Sequence, residues 1–281
     1  MKIFLSILFI ISATVSYSQT TVNSSTFGMM EARWLGPGTM SGRITAIEGV
    51  AQDGKTIYVG TAGGGIWKTT NAGASFKPIF DKYCQSIGAI AIDPKNPKII
   101  YAATGESNMR NSVSIGDGIY KSTDGGKTWI NTGLKESQQI GGLAIDPKNE
   151  NRVFAAALGH PYGPNEERGV YRTTDGGKTW ERVLYKDENT GAIQVTIDPN
   201  NSNIIYADMW AGRQGPWENG AWNGKESGLF KSTDGGTTWK KLTTGLPTTE
   251  QGLGRIGFCI APSNSNRLYA TVDAGKYGGI Y

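Results

Sequence analysis

Two cysteines and a single histidine in 281 residues leave little material for metal or disulfide chemistry. A zinc site of the usual His/Cys kind is excluded, so no metal and no cofactor is expected. Two cysteines also cannot build a disulfide-rich scaffold. Cys84 and Cys259 are three repeats apart and are not expected to pair; Cys259 matches Ala91 in its strand, which predicts a buried free thiol. Charged residues make up only 19%, and the net charge of +4 comes from scattered basic residues, so a nucleic-acid footprint is absent. After the first residues no apolar run approaches the ~20 residues of a membrane span.

That first run is itself informative. Lys2, the apolar stretch Ile3 to Val15 and the small residues Ser16-Tyr17-Ser18 before Gln19 predict a signal peptide over 1–18, followed by a lead-in over 19–33. The expected location is therefore secreted, periplasmic or cell-surface.

The chain is rich in glycine, with 40, and in aromatics, with 8 Trp and 12 Tyr, a composition of turns and strands. Its dominant feature is repetition. GGIWKTTNAGASF, DGIYKSTDGGKTW, RGVYRTTDGGKTW and SGLFKSTDGGTTW start at Gly64, Asp117, Arg168 and Ser227, and GGIY at Gly278 opens a fifth copy. Upstream of four copies lies a strand-turn-strand unit: IAIDPKNPKIIYAA, LAIDPKNENRVFAA, VTIDPNNSNIIYAD and CIAPSNSNRLYAT. Asp-Pro and Asn residues supply the turns. Each period then holds four short strands, A to D, which is a β-propeller blade. The fold class expected is all-β, a propeller of four-stranded antiparallel blades over 34–281. Four blades fall at about 40–82, 83–135, 136–187 and 188–247, with the start of a fifth at 248–281. The remaining blades are expected from a full-length chain, without which this segment is not expected to be a stable monomer.

Spacing separates scaffold from variable surface. The strand C aromatic always precedes the Asp-box residue by four positions, as in Tyr120 and Asp124. The B to C segment instead varies: Tyr58 to Trp67 spans 9 positions, Tyr101 to Tyr120 spans 19, Phe154 to Tyr171 spans 17, Tyr206 to Phe230 spans 24, and Tyr269 to Tyr281 spans 12. Binding is therefore expected on the B–C loop face. Asn71, Asp124, Asp175 and Asp234, one per Asp-box, read as structural turn residues.

The candidate ligand-binding residues are Glu106, Arg110, His160, Tyr162, Trp210, Arg213, Trp217 and Trp222 on the variable face, with Arg43 and Arg255, in the repeated Gly-Arg-Ile at the head of inner strands, expected to point into the central channel. Trp210, Trp217 and Trp222 fall within thirteen residues, and aromatic faces among charges suit sugar rings or an extended peptide. They equally fit a mini-core beneath a long loop. The weak catalytic candidates are Asp208, Glu218 and Asp273. Asp208 replaces the Gly60, Ala103 and Ala156 of the other blades, either as a functional acid or as a hydrogen-bonded structural one.

The Asp-boxes, the Ile-Asp-Pro turns and the segment Met40-Ser41-Gly42-Arg43-Ile44 resemble the Asp-box (BNR) propeller superfamily. The similarity is greatest to bacterial proteins related to the Vps10/sortilin amino-terminal domain, often labelled glycosyl hydrolase. The resemblance implies a propeller whose relatives include sialidases, xyloglucanases, an assembly factor and sorting receptors. In the xyloglucanase branch it implies a catalytic Asp directly after Tyr-x-x-Thr, but here Tyr58-Val59-Gly60-Thr61 is followed by Ala62. The sialidase branch implies a Pro after the arginine of Arg43-Ile44, which is also missing. The expected function is therefore a non-catalytic propeller binding protein, peptide or carbohydrate. A glycoside hydrolase is the alternative, and an assembly or scaffold factor the third reading.

Overall fold

A computed structural model describes residues 43–110, 112–214 and 222–281, all within the unit Gly36–Tyr281. The expected signal peptide and lead-in, Trp217 and Glu218 lie outside the described residues. The fold is all-β, as expected. Blade I holds β1 (Ile44–Gly49), β2 (Ile57–Thr61), β3 (Ile66–Thr69) and β4 (Lys77–Pro78). Blade II holds β5 (Ile87–Ile92), β6 (Ile100–Thr104), β7 (Ile119–Ser122) and β8 (Ile130–Gly133). Blade III holds β9 (Ile140–Asp146), β10 (Asn149–Ala157), β11 (Gly169–Thr173) and β12 (Glu181–Leu184). Blade IV holds β13 (Gly191–Ile197), β14 (Ile205–Trp210), β15 (Gly228–Ser232) and β16 (Lys240–Lys241). Blade V has three strands, β17 (Ile256–Ile260), β18 (Leu268–Val272) and β19 (Gly279–Ile280). Each sheet pairs its strands in chain order, antiparallel throughout.

The core lies between blades. Ile100 and Ala102 of β6 pack toward blade I with Tyr58, Phe80 and Ile87, while their neighbours Tyr101 and Ala103 pack toward blade III with Ile140 and Val153. Successive residues of a strand point to opposite faces, and in a stacked blade both faces meet another blade. The B strands are consequently mostly apolar, and every residue of β6 and β14 is buried, Asp208 included.

The turns follow their local chemistry. Asp93 Oδ1 accepts the Lys95 N–H at 2.8 Å, and Asp146 and Asp198 do the same for Lys148 and Asn200. In the Asp-boxes, Asp124 Oδ1 accepts from the Lys127 and Thr128 amides, and Oδ2 accepts the Thr128 hydroxyl at 2.6 Å. Asp175 and Asp234 repeat the arrangement. These donors, the Thr hydroxyls first, hold all three carboxyls well below the usual carboxylate range. Because the folded values are depressed, their stabilisation is present above the unfolded value of ~3.9 and fades as pH falls below it. Thermal midpoints measured from pH 5 to pH 2 are expected to fall. Replacing Asp124, Asp175 and Asp234 together with Asn, the residue already at position 71, is expected to flatten that slope.

The blades are also tied by a latch. Lys68 Nζ donates to the Gly125 carbonyl at 2.9 Å, Lys121 Nζ to Gly176 at 2.8 Å, and Arg172 Nη1 to Gly235 at 2.9 Å. Each strand C cation thus reaches the Asp-box of the following blade. Lys121 additionally lies 5.1 Å from the Tyr101 ring centroid. Lys121→Met keeps the apolar stem and removes the charged donor, so a loss of about 1–2 kcal/mol is expected in denaturant unfolding.

One expectation fails. Cys84 and Cys259 are both free, but Cys259 is exposed rather than buried. Ala91 is buried in β5, whereas the matching Cys259 in β17 is open to solvent.

Candidate functional site

In each blade the A–B and C–D turns meet at one end, where the Gly125, Gly176 and Gly235 amides donate to the Lys98, Asn151 and Asn203 carbonyls. The B–C loops therefore gather at the other end. There, a cleft of about 710 Å³ is lined by Asn108, Trp210, Arg255, Thr271 and Asp273 among others.

Trp210 closes β14 and is almost fully buried, while Trp222 returns from the loop and is 41% exposed. Their rings stack with centroids 6.0 Å apart and planes at 25°, and Trp210 Nε1 donates to the Trp222 carbonyl at 2.8 Å. One ring is thus an anchor and the other an accessible platform. Arg255 lies over the Trp210 ring at 5.8 Å and donates to Asn108 Oδ1 at 2.8 Å, across from blade V to the blade II loop. Burial pulls the Arg255 pKa down despite the nearby Asp208. Asp273 follows β18 and is exposed; its amide donates to the Arg255 carbonyl at 3.0 Å and its carbonyl accepts from Gly254 at 2.7 Å. The site offers an aromatic face, a cation, an amide and one carboxylate.

Asp208 is elsewhere. It is fully buried, and Oδ2 accepts the Ile256 amide at 3.0 Å. Burial pushes its carboxyl well above the ordinary range, against that hydrogen bond and Arg255. At the matching position of blade I, a Cβ on Gly60 would sit 2.6 Å from Ile87, so the side chain of the next blade fills the space. At the blade IV–V junction a carboxyl fills it instead, beside Gln194, whose amide bonds both the N–H and the C=O of Phe258.

The other candidates separate into two groups. Arg43 forms an ion pair with the buried Glu106, whose carbonyl accepts from Gln139. His160 Nε2 lies 3.0 Å from the Glu136 carbonyl and 3.5 Å from Glu167. The neighbouring Tyr162 is exposed and bridges to Gln214. Arg213 donates to Asn189, and Arg110 is exposed on the blade II loop. Among the described residues no group of three or more His, Cys, Asp or Glu side chains is placed to hold a metal. A groove of about 380 Å³ lies at the opposite end between blades II and III, lined by Lys121, Thr128, Ile130 and Gly176. It is formed by the repeated latch and Asp-box, so it is scaffold. Sequence reasoning misses Gln194 and Arg168, because their partners lie on neighbouring blades or loops.

The fold and cleft define an Asp-box propeller. The Sortilin-Vps10 family model, described as sortilin, neurotensin receptor 3, matches residues 64–207 and 117–276, and the chain belongs to that family. A xyloglucanase of Paenibacillus sp is 29% identical over 217 residues, covering 68% of this chain and 20% of that protein. A xyloglucanase of Acetivibrio thermocellus is 29% identical over 221 residues, covering 66% and 24%. This chain therefore spans about a fifth to a quarter of the length of these relatives. Among solved structures, an ancestral GH74 enzyme superposes with a TM-score of 0.59 at 22% identity, over 85% of this chain and 29% of that one. A GH74 enzyme of Niastella koreensis superposes with a TM-score of 0.58 at 24% identity, over 81% and 34%. These structures share the fold. The relatives named for hydrolysing a polysaccharide overturn the expectation of a non-catalytic binding propeller.

Proposed function

We propose that this chain is part of an exported glycoside hydrolase acting on a xyloglucan-type polysaccharide across the B–C loop face. The observation that carries this is the exposed Asp273 carboxylate in the same cleft as Trp210, whose ring stacks on the exposed Trp222. An aromatic face orients a pyranose ring by stacking, and a carboxylate at the rim supplies acid, base or nucleophile. The similarity to xyloglucanases supports the same reading.

Glycoside hydrolysis takes two carboxylates about 5–10 Å apart. Ala62 removes the one expected after Thr61, and Asp273 is the carboxylate among the cleft-lining residues. Glu218, which lies between Trp210 and Trp222 in the sequence, is the candidate for its partner. Arg255 and Asn108 are assigned to sugar hydroxyls. The full-length protein should release oligosaccharides from xyloglucan in a reducing-end assay, with less release from unbranched β-glucan. Binding to these polysaccharides without turnover of any of them would sink the proposal.

A further inference from the structure

Every strand C is entered through two residues whose second member is glycine: Gly64-Gly65, Asp117-Gly118, Arg168-Gly169, Ser227-Gly228 and Gly278-Gly279. Gly118, Gly169 and Gly228 have φ of 105°, 123° and 147°, where a side chain would be strained. The first member changes with the loop before it. It is glycine where the B to C segment is short, and bears a polar side chain where it is long. In all three long loops that side chain is tied to the loop or to the strand ends at its base. Asp117 accepts from Thr104 Oγ1 and from the Tyr120 hydroxyl, and Ser227 Oγ accepts the Ala211 amide at 3.0 Å.

Arg168 does more than either. Its guanidinium is fully buried and donates to backbone carbonyls only: Leu158 at 2.7 Å, His160 at 3.1 Å, Gly163 at 3.3 Å, and Gly212 on the next blade at 3.2 Å. None of the ion pairs among the described residues includes it. Burial draws its pKa down to about 10, so the charge remains at neutral pH. A buried cation held by carbonyls alone is a poor source of net stability and a good source of geometry. Both ends of that geometry bear on the aromatic pair. Leu158 packs with Trp210, and the Gly212 backbone lies so close to the same ring that a Cβ there would sit 2.4 Å from it.

We infer that Arg168 is a positioning residue that locks the B–C loops of blades III and IV together and thereby holds Trp210 and Trp222 stacked for a sugar ring. The inference rests on the glycan-cleft reading for its consequence, though not for its geometry. Lysine is a poor substitute, because a point ammonium with three donors cannot serve four carbonyls on two loops.

The test uses the full chain and the exciton couplet of the stacked indoles in circular dichroism, assigned by its loss in Trp222→Ala. Arg168→Lys and Arg168→Gln are expected to fold with native strand content, lose the couplet, and bind xyloglucan oligosaccharides at least about tenfold more weakly. Gly212→Ala leaves Arg168 intact and should reproduce both losses by displacing the Trp210 ring. An unchanged couplet and affinity in a folded Arg168 variant would overturn the assignment. Failure of both Arg168 variants to fold would also overturn it, since the residue would then serve the fold rather than the platform. A wild-type chain that binds no glycan, with the couplet still dependent on Arg168, would defeat the functional proposal and leave the positioning role standing.

Discussion

Replacing Asp273 with Asn is expected to lower xyloglucan hydrolysis by about 10²- to 10⁴-fold, the range for losing a general acid or base. The substitution preserves shape and leaves the Trp210–Trp222 stack, Arg255 and Asn108 in place. Oligosaccharide affinity, read by titration calorimetry, should therefore stay within about twofold while kcat collapses. The backbone of Asp273 is fixed by its bonds to Arg255 and Gly254, so structural collapse is not an expected route to the loss. Wild-type turnover in the variant would remove Asp273 from the chemistry and with it the cleft as the reaction site.

Asp208→Asn should behave in the opposite way. The folded-state pKa of Asp208 is raised above its unfolded value, so its contribution is favourable below the unfolded pKa and is lost as pH rises toward the folded value. At pH 7 the buried ionisable group therefore penalises the fold. Asn has no such penalty. Its side-chain oxygen can still accept the Ile256 amide, so the variant is expected to be more stable at pH 7. The gain should shrink toward pH 4, measured as urea midpoints across that range. A variant less stable at pH 7 would show that the carboxylate is ionised and needed by Arg255, and would refute the assignment of Asp208 to the blade junction. Hydrolysis should survive the change, which separates the two acids that look alike in the sequence.

The blade repeat was legible because its signals are local. Asp93, Asp146 and Asp198 bond amides two residues on, and Asp124, Asp175 and Asp234 bond amides three and four residues on. Such short-range chemistry repeats whenever the residues do, so strand order and the division into constant and variable ends could be read without coordinates. The preference for a non-catalytic module came from missing family residues, the carboxylate replaced by Ala62 and the Pro expected after Arg43. The relatives outweigh it because a site on variable loops can draw its acids from other blades.

Period, turn type and the alternation of strand faces thus follow from residues a few positions apart. Which buried acid is spent on a junction, which thiol is covered and which tryptophans meet were decided by neighbouring blades. Asp208 and Asp273 differ in surroundings because the Ile256 amide meets one and the open cleft lies over the other. Cys259 is exposed where Ala91 is buried because of what lies beyond each strand. Arg168 joins segments 44 residues apart, Arg255 and Asn108 segments 147 apart. Contacts at that range leave no periodic trace, since each is made once, between loops whose lengths differ in every blade.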